Sequence, residues 1–471
     1  MDTNLLSGIL GPQMVFNDSE NLTKFAVDGV PPKAVVYPTN LSQTAEIIKL
    51  ANKEKWTVTP CGSCSKMSIG NVPERIDLIL NTSRLDKIID IDVANLTVTA
   101  QAGVKLGDLQ DLLGGTENRC YFPLEGDIKA QADYMCSSRE YKGVFLPLDP
   151  PFPDQATLGG IVATNSSGPK RLRYGLPRDL VLGVRYVTPT GHIVGMGGKT
   201  VKNVSGYDVS KIMIGSFGTL GIIGDITFRL LPLPEESVTL LGSFSNLSDA
   251  VCFSGRVLDS KLLPTSLEIL NYYGYQLSEF ADLKVSSQGW CVAIGLEGFN
   301  EEVARELIDL KEMARLDKVV DLCELDREKG SIFWKNLANC AISSSLQGKS
   351  VTKFKAGFLI SRYAEVLEAW TELLSDTQGA LIASAGSGTA YAYFFGTQPS
   401  NGTKLAELST SFRNVVQKHE GSMIVELAPA ELKQELDLWG KPGRDFAIMK
   451  RIKDSVDPLN VLNPGRFLGG I

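Results

Sequence analysis

Three stretches of this sequence carry residue types and spacings suited to holding a polyanion. The first is Pro60-Cys61-Gly62-Ser63-Cys64-Ser65-Lys66-Met67-Ser68-Ile69-Gly70. The second is Thr157-Leu158-Gly159-Gly160-Ile161-Val162-Ala163-Thr164-Asn165-Ser166-Ser167-Gly168, and the third is Gly215-Ser216-Phe217-Gly218-Thr219-Leu220-Gly221-Ile222-Ile223. Small side chains let backbone N–H groups close on an anion, and successive N–H groups form a concave nest around it. The hydroxyls of Ser65, Ser68, Thr157 and Thr164 can add donors. Three such segments in one chain suit an extended ligand with a pyrophosphate, such as a dinucleotide. Any one of them taken alone reads first as a tight turn between strands. None matches a P-loop or a G-x-G-x-x-G fingerprint at a strand–helix junction.

Other reactive residues are sparse. Cys61 and Cys64 have redox-motif spacing, but no second pair stands nearby to complete a zinc site, and packing within the loop is their ordinary role. The remaining cysteines, at 120, 136, 252, 291, 323 and 340, are scattered and lack ferredoxin-like spacing, so this chain is not expected to carry an iron–sulfur cluster. Only two histidines occur, His192 after the Thr190-Gly191 turn and His419, and neither falls in a glycine-rich segment.

The elements that position these segments follow from periodicity. Strands are expected at Ala34–Tyr37, Thr57–Thr59 (ending on Pro60), Leu78–Leu80, Ile88–Ile91, Thr97–Ala100, Leu180–Thr188 and Ile222–Leu231, and amphipathic helices at Ser42–Lys53 and Lys105–Leu113. This is not the strict alternation of a Rossmann fold; it predicts an α+β domain with a glycine-rich ligand surface. Prolines at Pro232–Pro234 mark a boundary, beyond which helices at Asn246–Leu258, Glu301–Leu316 and Ala364–Leu374 and strands at Val292–Leu296 and Ala390–Phe395 predict a second α+β domain. The expected division is 1–235, 236–430 and a C-terminal segment 431–471 packing back toward the first domain. That tail ends in Asp457-Pro458 and Asn463-Pro464-Gly465-Arg466, which read as turns. Gly114–Lys142 breaks the rhythm and reads as a long insertion loop.

Bulk properties agree with a globular protein. Of 471 residues, 43% are hydrophobic and 21% charged, and the formal charge of −7 argues against nucleic acid as a main partner. No apolar run reaches the roughly 18 residues of a membrane span, and Met1–Phe16 lacks the pattern of a secretory signal. A cytoplasmic location with reduced thiols is the expectation, with any membrane association peripheral and through partners.

Residues from about 30 to 235 resemble the FAD-binding domain of the vanillyl-alcohol oxidase / p-cresol methylhydroxylase superfamily. The likeness runs through the first loop, then Pro147-Leu148-Asp149-Pro150, Ala156–Gly160, Asn165, Gly168, Arg173-Tyr174-Gly175 and Arg178-Asp179. Lys202-Asn203, Gly206-Tyr207-Asp208 and Gly215–Ile223 complete it. The second half is similar to that superfamily's substrate-side cap, for example at Leu267-Glu268 and Phe333-Trp334. The tail, with Ala428-Pro429-Ala430, Trp439-Gly440 and Asn463–Arg466, resembles the FAD-binding subunits of glycolate oxidases.

The resemblance implies a two-subdomain FAD-binding domain followed by an α+β cap, and assigns roles by position. Pro60, Cys61, Gly62, Ser63, Cys64, Ser65, Lys66 and Gly70 would cradle the pyrophosphate. Thr157, Leu158, Gly159, Gly160, Ala163, Thr164, Asn165 and Gly168 would run along the flavin and ribityl chain, with Pro147, Tyr174 and Gly175 in the same contact region. Gly215, Gly218, Thr219 and Ile223, with Gly221 and Ile222, would approach the adenosine end and ribityl side. The shortage of histidine implies FAD held without a covalent bond.

Two departures bear on function. The pyrophosphate loop carries Ser63, Cys64 and Lys66 where the family usually has more glycine. Related 2-hydroxy-acid dehydrogenases bind a divalent metal through clustered histidines and an acid, and the matching stretches here, Ala383–Thr389 and Val425-Glu426-Leu427, have no histidine. No catalytic metal is expected. A substrate carboxylate then needs a cation; the resemblance implies Lys353 as the first candidate, since it follows the Phe333-Trp334 segment at about the place where the superfamily uses a lysine, with Lys335 second. Three functions stay open: an FAD-binding subunit of a glycolate- or lactate-type oxidase complex, with a paralogous flavoprotein and an iron–sulfur protein as partners; an independent flavin dehydrogenase for 2-hydroxy acids; or a non-catalytic flavin scaffold or electron relay.

Overall fold

The structure, a computed structural model, describes residues 1–116, 143–198, 210–340, 350–375, 377–396 and 402–471. Most of the Gly114–Lys142 insertion and the Lys202–Asp208 motifs lie outside the described residues.

Three principal sheets organise the chain. The first has four strands in the order Val15–Phe16, Ala34–Val36, Leu78–Asn81, Val58–Cys61; its last three run parallel. Parallel neighbours need a crossover, which Leu41–Glu54 supplies as a helix capped by Asn40 and burying Ala45, Ile47, Ile48 and Ala51 against the sheet. The second has five antiparallel strands in the order Ile88–Asp92, Thr97–Gln101, Ile222–Arg229, Val181–Val187, Ile193–Gly197. The third is an eight-stranded antiparallel sheet of residues 236–427, in the order Asp321–Leu325, Glu236–Phe244, Trp290–Gly298, Ser266–Asn271, Ala380–Ser384, Thr389–Phe395, Val351–Gly357, Ser422–Leu427. Helices Leu247–Asp259, Asn300–Leu316, Tyr363–Leu374 and Gly402–Lys418 cover one face, around a core of Phe253, Phe354, Trp370 and Phe412. The class is α+β, and the strands and helices expected from periodicity are present.

Two expectations change. The second glycine-rich segment is a helix, Leu158–Thr164, rather than a loop. The tail also holds a helix, Phe446–Val456, besides its turns. Lys453 of that helix is buried, donating to Asp457 at 2.6 Å and to the carbonyls of Thr219 and Leu462 at 2.9 Å each. The tail is thereby tied to the third glycine-rich segment.

Candidate active site

The first glycine-rich segment leaves the sheet at Cys61, whose carbonyl accepts from the Thr82 hydroxyl at 3.1 Å. Cys64 at φ +61° and Gly70 at φ +100° bend it into a cup. The N–H groups of Ser63, Cys64, Ser65 and Lys66 meet no acceptor among the described residues. The cup is held from behind by distant cations. Lys433 donates to the carbonyls of Ser68 and Gly70 and to the Asp28 carboxylate. Arg466 donates to the carbonyls of Met67, Ile69 and Asn71. Within the loop, the hydrogen bond from the Cys61 thiol toward Cys64, together with burial, raises Cys61, and the same hydrogen bond lowers Cys64 against the opposing effect of burial. Both cysteines are free thiols.

The second segment starts a short helix whose first N–H groups reach outside it, Leu158 to the Val104 carbonyl at 2.9 Å and Gly159 to that of Ala102 at 2.8 Å. Gly159 is needed for that approach, since a Cβ there would sit 2.7 Å from the Ala102 Cβ. The close contact offsets the usual cost of glycine in a helix, which is why a run of small residues here is helical. At Gly160 a Cβ would meet only the Thr157 hydroxyl, at 3.2 Å, so that side of the helix is open. In the third segment Gly218, at φ +69°, brings the chain against Pro60, where a Cβ would come within 2.4 Å of the ring.

The three segments enclose one cavity. Pro60, Cys61, Gly62, Ser63, Cys64, Ser65 and Lys66 line it, as do Thr157, Gly159, Gly160, Ala163, Thr164, Gly218, Gly221, Ile222 and Ile223. Thr82, Ala102, Phe217, Asn463 and Arg466 add to the wall, although none of them was expected to touch the cofactor. Asn165 and Gly215 face an adjoining chamber. Gly70, Pro147, Leu158, Gly168, Tyr174, Gly175 and Thr219 line neither space and act as supports. Pro147 and Leu158 are buried; Gly70 packs on the Arg466 carbonyl. The Gly168 N–H donates to Asp149 at 3.0 Å, the Thr219 hydroxyl to the Ser216 carbonyl at 2.7 Å, and the Tyr174 hydroxyl to Glu297 of the large sheet at 3.1 Å. Gly175 turns at φ +82° against Asp179.

Polar atoms around this cavity await partners. Asn463 Oδ1 and Arg466 Nε belong to lining residues and are buried without a hydrogen bond among the described residues, as are Asn165 Oδ1 at the adjoining chamber and Ser216 Oγ in the third segment. Buried polar groups are normally satisfied, so such a cluster fits a ligand rich in acceptors and donors. The free N–H groups of the cup and the open side of Gly160 suit a dinucleotide.

The adjoining chamber, about 390 Å³, shares Ser65, Lys66, Ile69, Thr164 and Phe217 with the first cavity. Lys353 and Lys355 enter it from the strand Val351–Gly357. Two residues apart, they share one face of the sheet. Their neighbours on the adjacent strand are Tyr393 and Tyr391. Lys353 Nζ lies 4.6 Å from the Tyr391 ring centre and 5.4 Å from that of Tyr393. On the other side Lys353 pairs with Leu427, Phe354 with Val425 and Lys355 with Ile424, so Glu426 is the extra residue of a β-bulge. The bulge turns its carboxylate onto the lysine face, 2.5 Å from Lys353 Nζ and 3.5 Å from Lys355 Nζ.

Electrostatics sharpen this picture. Burial works against the Glu426 charge, but Lys353 and Lys355 outweigh it and hold the carboxyl down to about 2. Burial also opposes the Lys353 charge, yet Glu426 and Tyr391 leave its ammonium above the usual value. Lys66, on the wall shared by the two spaces, has only the Thr164 hydroxyl, at 3.5 Å, as a polar contact among the described residues. Burial, with Lys355 and Lys353 adding to it against Glu426, pushes Lys66 down to about 7. Lys335, the second sequence candidate, pairs with Asp154 on the surface and lines neither space. The contributions of Lys355 and Glu426 went unread in the sequence. The Lys-x-Lys spacing on one strand was the available signal.

Residues 32–123 and 138–209 match the FAD binding domain, and residues 233–467 match the C-terminal domain of FAD linked oxidases. The chain belongs to this family of FAD-linked oxidoreductases, and its cofactor is FAD. It is 27% identical to Glycolate oxidase subunit GlcD of Bacillus subtilis, over 98% of this chain and 95% of that one. It is 26% identical to a D-lactate dehydrogenase of Anaerostipes hadrus (93% and 89% covered) and 27% to a D-2-hydroxyglutarate dehydrogenase of Xanthomonas citri (93% and 89%). Among solved structures, p-cresol methylhydroxylase superposes with a TM-score of 0.70 at 15% identity, over 98% of this chain and 95% of that one. The fold is therefore that of p-cresol methylhydroxylase. No helix among the described residues is long and apolar enough to cross a membrane.

Proposed function

We propose that this chain oxidises a 2-hydroxy acid, with FAD held non-covalently in the glycine-lined cavity and the substrate in the adjoining chamber. The observation that carries the reading is the Lys353–Glu426–Lys355 cluster one wall away from the cofactor cavity. The named substrates of three relatives, glycolate, D-lactate and D-2-hydroxyglutarate, share an alcohol carbon next to a carboxylate. The free N–H groups at 63–66 would hold the pyrophosphate, with the open side of Gly160 along the cofactor. Bound FAD supplies the acceptor for the hydride leaving the alcohol carbon. Lys353 and Lys355 bind the carboxylate through charge-assisted hydrogen bonds, and Glu426 keeps both ammonium groups charged and aimed. Lys66, on the shared wall with its amine part-neutral near pH 7, takes the hydroxyl proton. No metal enters this scheme.

The reduced cofactor needs an electron exit, and the cysteine spacing gives none within the chain. We therefore place the protein as the flavin-bearing subunit of a complex with an iron–sulfur protein and a second, paralogous flavoprotein. Anaerobic mixing of the FAD-loaded chain with 2-hydroxy acids, and with the matching alcohols lacking a carboxylate, tests the chemistry. Bleaching of the flavin by the acids alone supports it, and equal bleaching by the plain alcohols overturns it. Acid precipitation should leave all the flavin in the supernatant. Affinity capture from the native cell should bring down the two partners in fixed ratio, whereas rapid turnover by the lone chain would favour an independent dehydrogenase.

A further inference from the structure

Charge balance in the chamber points beyond a simple 2-hydroxy monocarboxylate. Among the described residues four cationic side chains line it, Lys66, Arg171, Lys353 and Lys355, against a single carboxylate, Glu426. Lys353 and Lys355 are both committed to that carboxylate. The Arg171 guanidinium has no acceptor among the described residues. It rises from the short helix Arg171–Tyr174 of the cofactor-binding half, whereas the lysine pair rises from the large sheet, so the cationic groups enter from two different elements. A guanidinium that lines a concave site and meets no acceptor among the described residues is poised for an anionic group of the ligand, which it can grip with two parallel hydrogen bonds.

We propose that the substrate is a 2-hydroxy acid bearing a second anionic group, with Arg171 as its receptor and the Lys353–Lys355 pair as the receptor of the carboxylate beside the alcohol. This rests on the reading of the chamber as the substrate site. With Lys66 neutral as the proton acceptor, the three remaining cations exceed Glu426 by two charges. A dianion offsets that surplus, and a monoanion such as lactate leaves one cation unmatched in a half-enclosed space, where an unpaired charge is costly. The second group is a carboxylate or a phosphate, since both present the paired oxygens that guanidinium recognises.

The test uses the FAD-loaded chain and three families of compound: lactate and glycolate; malate and 2-hydroxyglutarate; and 2-hydroxy acids carrying a phosphate. Flavin reduction rates give kcat/KM for each. Expected is a preference for one dianionic family over the monoanions of about tenfold to a hundredfold, the worth of one charge-assisted contact. Arg171→Gln should shrink that ratio mainly through KM, and Arg171→Lys should restore part of it. Titrating the flavin spectrum with glutarate, which has no hydroxyl to oxidise, should show binding that propionate does not, and Arg171→Gln should weaken it. Equal reactivity of mono- and dianions, or a ratio unchanged in Arg171→Gln, overturns the inference and leaves the 2-hydroxy-acid reading standing. Failure of every 2-hydroxy acid to reduce the flavin would instead remove that underlying reading.

Discussion

Lys433 and Asp28 meet through two contacts, Nζ to Oδ1 at 2.8 Å and to Oδ2 at 2.9 Å, although 405 residues separate them. Their side chains are only 2% and 5% exposed, and Arg466 joins from the other side at 3.3 Å. The two cations also bind the carbonyls on the back of the 62–71 loop, so the C-terminal region fixes the shape of the surface proposed to hold the pyrophosphate.

Asp28→Asn should therefore damage stability and cofactor binding together. It strands two buried cations, and breaking a buried pair by removing one partner costs about 3–5 kcal/mol. Lys433→Met combined with Asp28→Asn should be milder than Asp28→Asn alone, because fewer charges remain unmatched. Urea unfolding and a flavin-retention assay check this; an unaltered FAD affinity in Asp28→Asn would sever the link between the latch and the loop.

Gly160→Leu should abolish FAD binding and leave a folded apo-protein. The added side chain has room to project into the cavity, meeting only Thr157 on its way. Gly218→Leu should also cost stability, because φ is +69° there and Pro60 stands 2.4 Å from the Cβ position. Flavin absorbance and circular dichroism of the purified variants separate the two outcomes. A normal flavin spectrum in Gly160→Leu would move the cofactor elsewhere.

Lys353→Met should raise KM for a 2-hydroxy acid by about ten- to a hundredfold, the loss of one charge-assisted hydrogen bond. Adding Glu426→Gln to it should not lower catalytic efficiency by the same factor again, since the two residues act as one unit. Steady-state kinetics with an artificial electron acceptor supply the numbers. Additive losses would mean that Lys353 and Glu426 work separately.

Glu268, buried in the large sheet and accepting from the Ser384 hydroxyl at 2.6 Å, makes stability depend on pH. Burial pushes its carboxyl up from 4.5 to about 8. A raised folded-state value means its contribution is fully present below 4.5 and fades as pH rises toward 8, by roughly 1.4 kcal/mol per pH unit. Glu268→Gln, which keeps an acceptor for Ser384, should flatten this slope. Denaturation midpoints taken at about pH 5 and about pH 8 decide it, and parallel slopes in the two proteins would assign the dependence to other groups.

Local chemistry was readable in the sequence where it depends on small residues and turns. The three glycine-rich segments do meet around one cavity, and Lys353 does face the chamber beside it. The helix at Leu158–Thr164 was hidden because its glycines look like loop residues until Ala102 is brought against them. Asn463 and Arg466 read as parts of a turn because their partners, Phe217 and Met67, lie hundreds of positions away. Glu426 marked only a place where histidine is absent, since nothing nearby in the chain announces a bulge or the lysines 70 residues upstream. Side chains whose roles come from contacts across sheets carry no periodic signal of their own.

The bulge at Glu426 makes the chamber's charge a matter of reading frame as well as residue identity. In a regular ladder continuing from Lys353 and Leu427, Glu426 would stand opposite Phe354 and point with it into the aromatic packing of Phe394 and Phe412. A one-residue deletion at the bulge would thus withdraw from four cationic side chains the one acid that lines the chamber among the described residues.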